Sequence, residues 1–407
     1  MKKLLISLYL FGFFSAHGQS GGGSVYSIFG IGELKPPVSS QSAAMGFTSI
    51  GTSNPYYVNT SNPAANAALM GYFTHIFDFG MFVNNTQLEN STSTENIGDG
   101  GLSQLSYFFR FNNRWTGLIG LSNYSNVGYN IVDNQVLISN NNEYSVNYQG
   151  SGGLNNIYFS NSFLITKNLS LGAKLSFIFG NIFHNEIATS SQGTGTFNVE
   201  NSIHVKQVNI DFGLNYLIRG ENHDFNIGLI YDNGTNLAGN VNTIILSNDL
   251  ETIHDEEVST RDYSLPRKAG IGFSFRNKKF LLGTDLEFKQ WSQASIGDET
   301  DLNDTWRTSF GFEYTPNIEG ETFGDLINYR LGAYVENNYL NIENTNFKHW
   351  GITAGLGIPL RNASTINLSY HRKYNGTLNN GLIYESTNEF SLNVSIKERW
   401  FAKNKYH

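Results

Sequence analysis

The chain has 407 residues and a formal net charge of -8, with 14% aromatic residues, 15% charged residues, 42 glycines and no cysteine. The acidic balance and the lack of a Lys/Arg cluster exclude a nucleic-acid surface, and without cysteine neither disulfides nor a lipidated N-terminal cysteine is available. Sparse charge with abundant Phe, Tyr, Gly and Asn makes a poor soluble globule, but suits a sheet that faces lipid and crosses aromatic belts at both ends.

Lys2 and Lys3 precede an apolar block over 4–16, and Ala16 and Gly18 stand before Gln19. Basic start, apolar run and small residues are the pattern of a cleaved export signal, here 1–18, and the run is too short for a ~20-residue membrane helix. From 19 to 70 alternation is weak, glycine and proline recur, and the piece 24–32 is turn-forming. This part reads as a separate segment outside the sheet.

Beyond it a period of two begins. Val208, Ile210, Phe212, Leu214, Tyr216 and Ile218 are apolar, while Asn209, Asp211, Gly213 and Asn215 between them are polar or small. Side chains of a strand point alternately to opposite faces, so this stretch has one oily and one wet face. A membrane barrel turns the oily face to lipid and the wet face to its lumen, and the mean hydropathy of -0.29 is compatible with that, because every second residue faces inward.

The same alternation marks about fourteen stretches of roughly ten residues, the length that crosses a bilayer at barrel tilt. Their connections alternate in length: long over 84–101, short over 112–114, long over 126–153, short over 167–168, long over 185–203, short over 220–223 and long over 232–263. The rhythm continues with short 277–278, long 292–304, medium 317–325, long 336–347, short 361–363 and long 374–388. Short periplasmic turns and long outer loops produce it, so the expected fold is an all-β, transmembrane, antiparallel up-and-down β-barrel over 71–401. An even strand count then leaves both termini in the periplasm, with a mobile tail over 402–407. Outer-membrane lipid is the expected surround.

The register sends Arg110, Lys174, Lys206, Asp211, Asp285, Glu287, Lys289, Arg307, Glu313, Arg330, Glu336 and His371 to the lumen. With both signs present, pairing that fills the lumen is expected over a selective pore. No His-Glu-x-x-His, Gly-x-Ser-x-Gly, phosphate loop or cysteine ligand pair occurs, so no enzyme activity, metal or cofactor is expected. Ser369 and His371 share a strand face without an assignable acid, which is ordinary for a strand. His254, Asp255, Glu256 and Glu257 read as a solvated acidic loop, since calcium needs six or more oxygens at set spacing.

Asn62-Pro63-Ala64, preceded by Ala44-Met45-Gly46-Phe47 and Ile50-Gly51, stands just before the first strand. This segment resembles the hatch of the FadL-like outer-membrane transport family. Leu265-Pro266-Arg267-Lys268-Ala269-Gly270-Ile271-Gly272, Asp285-Leu286-Glu287-Phe288 with Trp291, and Gly311-Phe312-Glu313-Tyr314-Thr315-Pro316 look like its later strands. The resemblance implies fourteen strands and an N-terminal plug over 19–70 in the periplasmic mouth, with Asn62, Pro63 and Ala64 inside it. It also implies a lateral opening at the third strand, over 122–128, where Ser122, Asn123, Asn126 and Gly128 stand. Glycine and asparagine there fit an ordinary strand end equally well.

The outer stretch with Ser139-Asn140-Asn141-Asn142 is polar, unlike an apolar capture site for a hydrophobic ligand. Tyr26-Ser27-Ile28-Phe29-Gly30-Ile31-Gly32-Glu33 and Arg399-Trp400-Phe401-Ala402-Lys403 are similar to the FadL-like subset that includes the Plug subunit of the type IX secretion translocon. Two functions are therefore open. One is an accessory stopper whose partner is a large secretion-pore protein; the other is a passive transporter of small hydrophobic molecules. Loop polarity favours the stopper.

Overall fold

Alternating apolar and polar residues become strands that run antiparallel to their sequence neighbours and close on themselves. The computed structural model describes residues 23–399, apart from 38, 72, 138–141, 191–195, 247–251, 260–262, 298–301, 318–319, 321, 343 and 361–363. The expected export signal (1–18), the tail (402–407) and Ser139 to Asn141 lie outside the described residues.

The barrel begins with β1 (His75–Glu89), β2 (Thr94–Arg110), β3 (Trp115–Leu137), β4 (Asn142–Leu164), β5 (Leu169–Ser190), β6 (Thr196–Arg219) and β7 (His223–Asp232). It continues with β8 (Arg267–Asn277), β9 (Phe280–Gln290), β10 (Thr305–Tyr314), β11 (Asn328–Asn337), β12 (Lys348–Pro359), β13 (Thr365–Gly376) and β14 (Tyr384–Glu398). Each strand pairs with the next, and β14 pairs with β1 along its full length, so no edge is left where the cylinder closes.

Orientation of the faces follows the sequence pattern. On β6, Val208, Ile210 and Phe212 are 49%, 46% and 51% exposed on the outside, whereas Asn209 and Asp211 are buried within. Aromatic contacts mark both ends of the outer apolar band: Phe280 stacks on Tyr314 at the short-turn end, and Phe288 packs against Trp306 near the other. The two pairs stand about eight residues apart, ~27 Å along a strand. At a tilt of about 40° that is ~20 Å of height, close to the ~25 Å apolar band of outer-membrane barrels.

Strand lengths depart from the expectation. β7 to β13 have 10 to 12 residues, but β3, β4, β5 and β6 have 23, 23, 22 and 24. The expected long loops at 84–101, 126–153 and 185–203 are largely continuations of these strands, paired up to Glu89 with Thr94, Leu137 with Asn142 and Thr189 with Thr196. Past the bilayer both faces meet water or protein, so the oily alternation that reveals a strand in lipid disappears while ladder hydrogen bonding goes on. The expected loop at 232–263 likewise contains a hairpin, Gly239–Leu246 with Thr252–Ser259, laid against β6 from Asn198 to Val205. His254 to Glu257 belong to this hairpin. Among the described residues no group of His, Asp or Glu is arranged to hold a metal.

Candidate functional site: the occupied lumen

Residues 39–71 lie inside the barrel, and their backbone presses on the wall where the wall has no side chains. A Cβ on Gly172, Gly213, Gly228, Gly272, Gly311 or Gly332 would fall within 3.0 Å of Ala64, Asn62, Ile50, Gly51, Met45 or Gly46, respectively. The register brings several of these glycines side by side: Gly172 faces Gly213, Gly228 faces Gly272 and Gly311 faces Gly332. Close approach of a second backbone is the reason glycine is needed here.

Polar groups fix the segment in place. Asp285 of β9 accepts the backbone N–H groups of Ser49 at 2.6 Å, Ile50 at 2.8 Å and Gly51 at 3.1 Å, so one buried carboxylate satisfies three successive donors. Gly51 O in turn accepts from Asn226 and Ser274. Asn62 is fully buried; its Oδ1 accepts Ala64 N–H at 3.0 Å, and its Nδ2 donates to Ile50 O and to Leu214 O of β6. Pro63 opens a 3-10 helix over Pro63–Gly71, and Ala64 O accepts the hydroxyls of Ser162 and Ser170 from β4 and β5. Every member of the Asn-Pro-Ala triplet thus has a definite place between the segment and the wall.

The lumenal charges pair around the wall. Lys174 meets Asp211 at 2.7 Å, and Lys268 bridges Asp211 and Asp232. Lys289 bridges Glu287 and Glu336, and Glu336 also meets Arg307 and His349. Arg330, fully buried, donates to Glu313 at 2.6 Å and to Asn367 at 2.7 Å, while Gln41 of the inner segment completes Glu313. Its guanidinium also lies over the Tyr57 ring. Pairing of this kind lowers the cost of buried charge. Arg110 is half-buried on the same face as Phe108, near the short-turn end. His371 faces Tyr334 OH at 3.0 Å and the Phe47 ring. One assignment is corrected: Lys206 is exposed on the outside. It shares the parity of Val208, not of Asp211, and stands just past the apolar band, where a long lysine reaches water.

The segment makes contacts at more than one level of the barrel. Its earlier part continues to the end bearing the long connections. There Glu385 accepts Ser24 Oγ and Val25 N–H, Tyr26 OH donates to Ile383 O at 2.6 Å, and the Tyr26 ring packs on Phe347. Val25 and Tyr26 join Trp291, Ile296, Leu340 and Phe347 in one apolar cluster, and Ile31 joins Val127, Leu154, Ile178, Ile182 and Ile203 in another. The inner face of the outer extensions is apolar, and the chain's own N-terminal segment packs against it through Ile31. Burial pushes the Tyr26 hydroxyl up to about 12. For Glu33 burial favours the neutral acid, but Lys35 at 2.9 Å and the Lys373 ammonium outweigh it and hold the carboxyl well below its usual range.

The wall parts where β2 leaves β3. Their pairing runs only from Arg110 and Thr116 to Gln104 and Ser122; beyond that, β2 keeps β1 as partner and β3 keeps β4. The β3 register shifts between Asn123 and Ser125, a bulge that carries the strand away from its neighbour. The two-residue strand Glu33–Leu34 lies on the freed edge, opposite Asn126 and Ser125, and Gly23 N–H donates to Gly128 O at 2.9 Å. Across the gap Asn126 Nδ2 donates to Asp99 of β2. Ser122, Asn123, Asn126 and Gly128 stand along β3 where its pairing with β2 ends. Sequence reading missed the Glu33, Lys35 and Lys373 cluster and the glycine belt. A glycine at matching height on successive strands was the available signal.

Between the two parts of the segment lies a cavity of about 310 Å³, bordered by Glu33, Lys174, Asp211, Lys289 and Gln104 among others. Comparison with known proteins agrees with this architecture. The toluene transporter TodX of P. putida superposes with a TM-score of 0.62 at 16% identity, covering 90% of this chain and 99% of that one. A FadL homologue of Pseudomonas aeruginosa gives 0.61 at 12% identity, over 90% and 99%. At such identities the likeness concerns the fold. No curated protein matches the sequence. The BamG family model, however, matches residues 1–407. The chain therefore belongs to the BamG family and is a FadL-like outer-membrane β-barrel of fourteen strands.

Proposed function

We propose that this barrel is a non-enzymatic accessory subunit, stoppered by its own N-terminal segment, that seals the periplasmic opening of a larger protein-secretion translocon of the type IX class. The supporting observation is the seating of residues 39–71: a belt of wall glycines takes their backbone, and Asp285 takes three of their amides. Withdrawing such a segment breaks many hydrogen bonds, each worth about 1 kcal/mol net, and leaves buried groups unpaired. That favours a permanent stopper over a gate. In this reading 1–18 is the export signal, 19–70 the plug with Asn62, Pro63 and Ala64 at its centre, and the short turns are periplasmic. Affinity purification from native outer membranes tests it: a large pore protein recovered in fixed ratio supports the reading, and a barrel recovered alone overturns it.

A second reading, passive transport of small hydrophobic molecules, is favoured by one observation, the parting of β2 from β3 above Gln104 and Ser122. It also shares the fold of a toluene transporter. Against it stands the lumen, whose cavity is bordered by charged pairs where an apolar ligand calls for an apolar site. A purified barrel carrying a bound hydrophobic molecule, with no partner protein, supports this second reading.

A further inference from the structure

From β5 to β11 the lumenal carboxylates and cations pair within the chain. On β2 to β5 a group of neutral side chains lacks partners: among the described residues, Ser103 Oγ, both ends of the Gln104 amide, Asn123 Oδ1, Asn156 Oδ1 and Ser176 Oγ make no hydrogen bond. All five residues border the 310 Å³ cavity. Gln104, Asn156 and Ser176 are 1%, 8% and 3% exposed, so bulk water does not reach them freely. An orphaned buried amide is costly, and Gln104 is unpaired at both ends of its amide, so the site offers a donor and an acceptor that a ligand can satisfy.

The register makes these groups a surface. Gln104 stands opposite Ser122, and Ser122 opposite Asn156, so three neutral polar side chains form one rung across β2, β3 and β4. Facing residues on neighbouring strands lie about 5 Å apart, so one small molecule with several hydroxyls can reach all three side chains by hydrogen bonds. A bulge opposite Gly80 and Met81 turns Ser103 toward the cavity beside Gln104. Phe82 and Tyr158 border the same cavity and supply ring faces. Amides and hydroxyls in a row beside aromatic rings match a ligand that both donates and accepts, and since charges bordering the same cavity, such as Lys174 with Asp211 and Lys289 with Glu336, are paired with each other, the rung calls for no charge on the ligand.

We infer that the rung Gln104, Ser122 and Asn156, at the foot of the β2/β3 gap, is a binding site for a neutral, hydroxyl-rich small molecule of the carbohydrate class. The inference goes beyond the stopper reading and does not rest on it. The sugar can be free in the aqueous phase or be the head group of a membrane glycolipid that enters sideways.

The test uses full-length barrel purified in a zwitterionic detergent and titrated with maltose and, separately, with dodecyl maltoside below its micelle concentration. Saturable binding of maltose assigns a free sugar; saturable binding of dodecyl maltoside alone assigns a glycolipid head group. Gln104→Leu should weaken whichever binds by about ten-fold or more, the loss expected for unpairing a buried hydrogen-bonding group. Retained heat-modifiable migration shows that the variant is folded; should it not fold, Ser176→Ala, which removes one hydroxyl, should weaken binding about three-fold. No saturable binding of either probe, or equal binding by wild type and variant, overturns the inference. Recovery or absence of a pore protein in the membrane purification leaves this outcome unchanged, so the two failures are distinguishable.

Discussion

Asp285→Ala removes the single carboxylate that accepts Ser49, Ile50 and Gly51 N–H. Three donors then lose a charged acceptor at a site that is 6% exposed. An orphaned buried donor costs about 1 to 3 kcal/mol, and lumenal water can replace part of it, so the lower bound is appropriate for each. The sum is about 3 kcal/mol, which is roughly a hundred-fold in a local opening equilibrium. Because β9 keeps its ladder to β8 and β10, the cost falls on the inner segment and not on the cylinder. Hydrogen exchange read on peptides covering 45–62 should therefore quicken about a hundred-fold in the variant, while the strand peptides and the heat-modifiable migration stay as in wild type. Asp285→Asn keeps an acceptor oxygen and should lie between. Unchanged protection of 49–51 in a folded Asp285→Ala barrel would refute the account of how the segment is held.

Other consequences can be measured separately. Gly332→Val places a branched side chain where Met45 and Gly46 pass, so limited proteolysis should cut within 39–71 in this variant and not in wild type. Arg330→Ala strands Glu313 in the wall and should lower the thermal unfolding midpoint with a cost of about 3 to 5 kcal/mol, whereas surface Arg219→Ala should change it little. Glu33 is held charged by Lys35 and Lys373, so its folded value lies below its unfolded one. The stability it gives is complete above the usual carboxylate range and is lost as the pH falls through and below it. Exchange at 33–35 should accordingly quicken in acid, and Lys373→Ala should weaken that pH dependence, since Lys35 alone then holds the carboxylate. Leu34 is the register partner of Ser125 and the chain has no cysteine, so Leu34→Cys with Ser125→Cys should form a single unambiguous disulfide. No cross-link under oxidising conditions would place the segment elsewhere.

What could be read from the residues depended on where the bilayer acts. On β6, Val208 to Ile218 alternates because lipid and lumen make opposite demands, so strand, face and the burial of Asp211 were all legible. Outside the bilayer that demand ends. The stretches around Asn130 to Asn134 and Asn198 to Ser202 carry no oily alternation, and only the ladder shows that they are strand. Lys206 shares the parity of Val208 and Ile210, so the alternation itself placed it outside, and only its charge suggested the lumen. Lumenal pairing was legible as a class but not in its partners: Lys174 and Asp211 become neighbours only through the β5/β6 register. The Asn-Pro-Ala triplet was found by resemblance. Its chemistry, an Asn62 side chain tying Ile50, Ala64 and β6 together, needed three dimensions.

The cylinder is closed by residues of its own chain, above and below the lumenal cavity. Ion conductance of the purified barrel in a planar bilayer tests it most directly, with Asp285→Ala and Gly332→Val measured beside it. The account predicts a silent wild type and intermittent conductance in the variants; steady conductance through the wild-type barrel would contradict it.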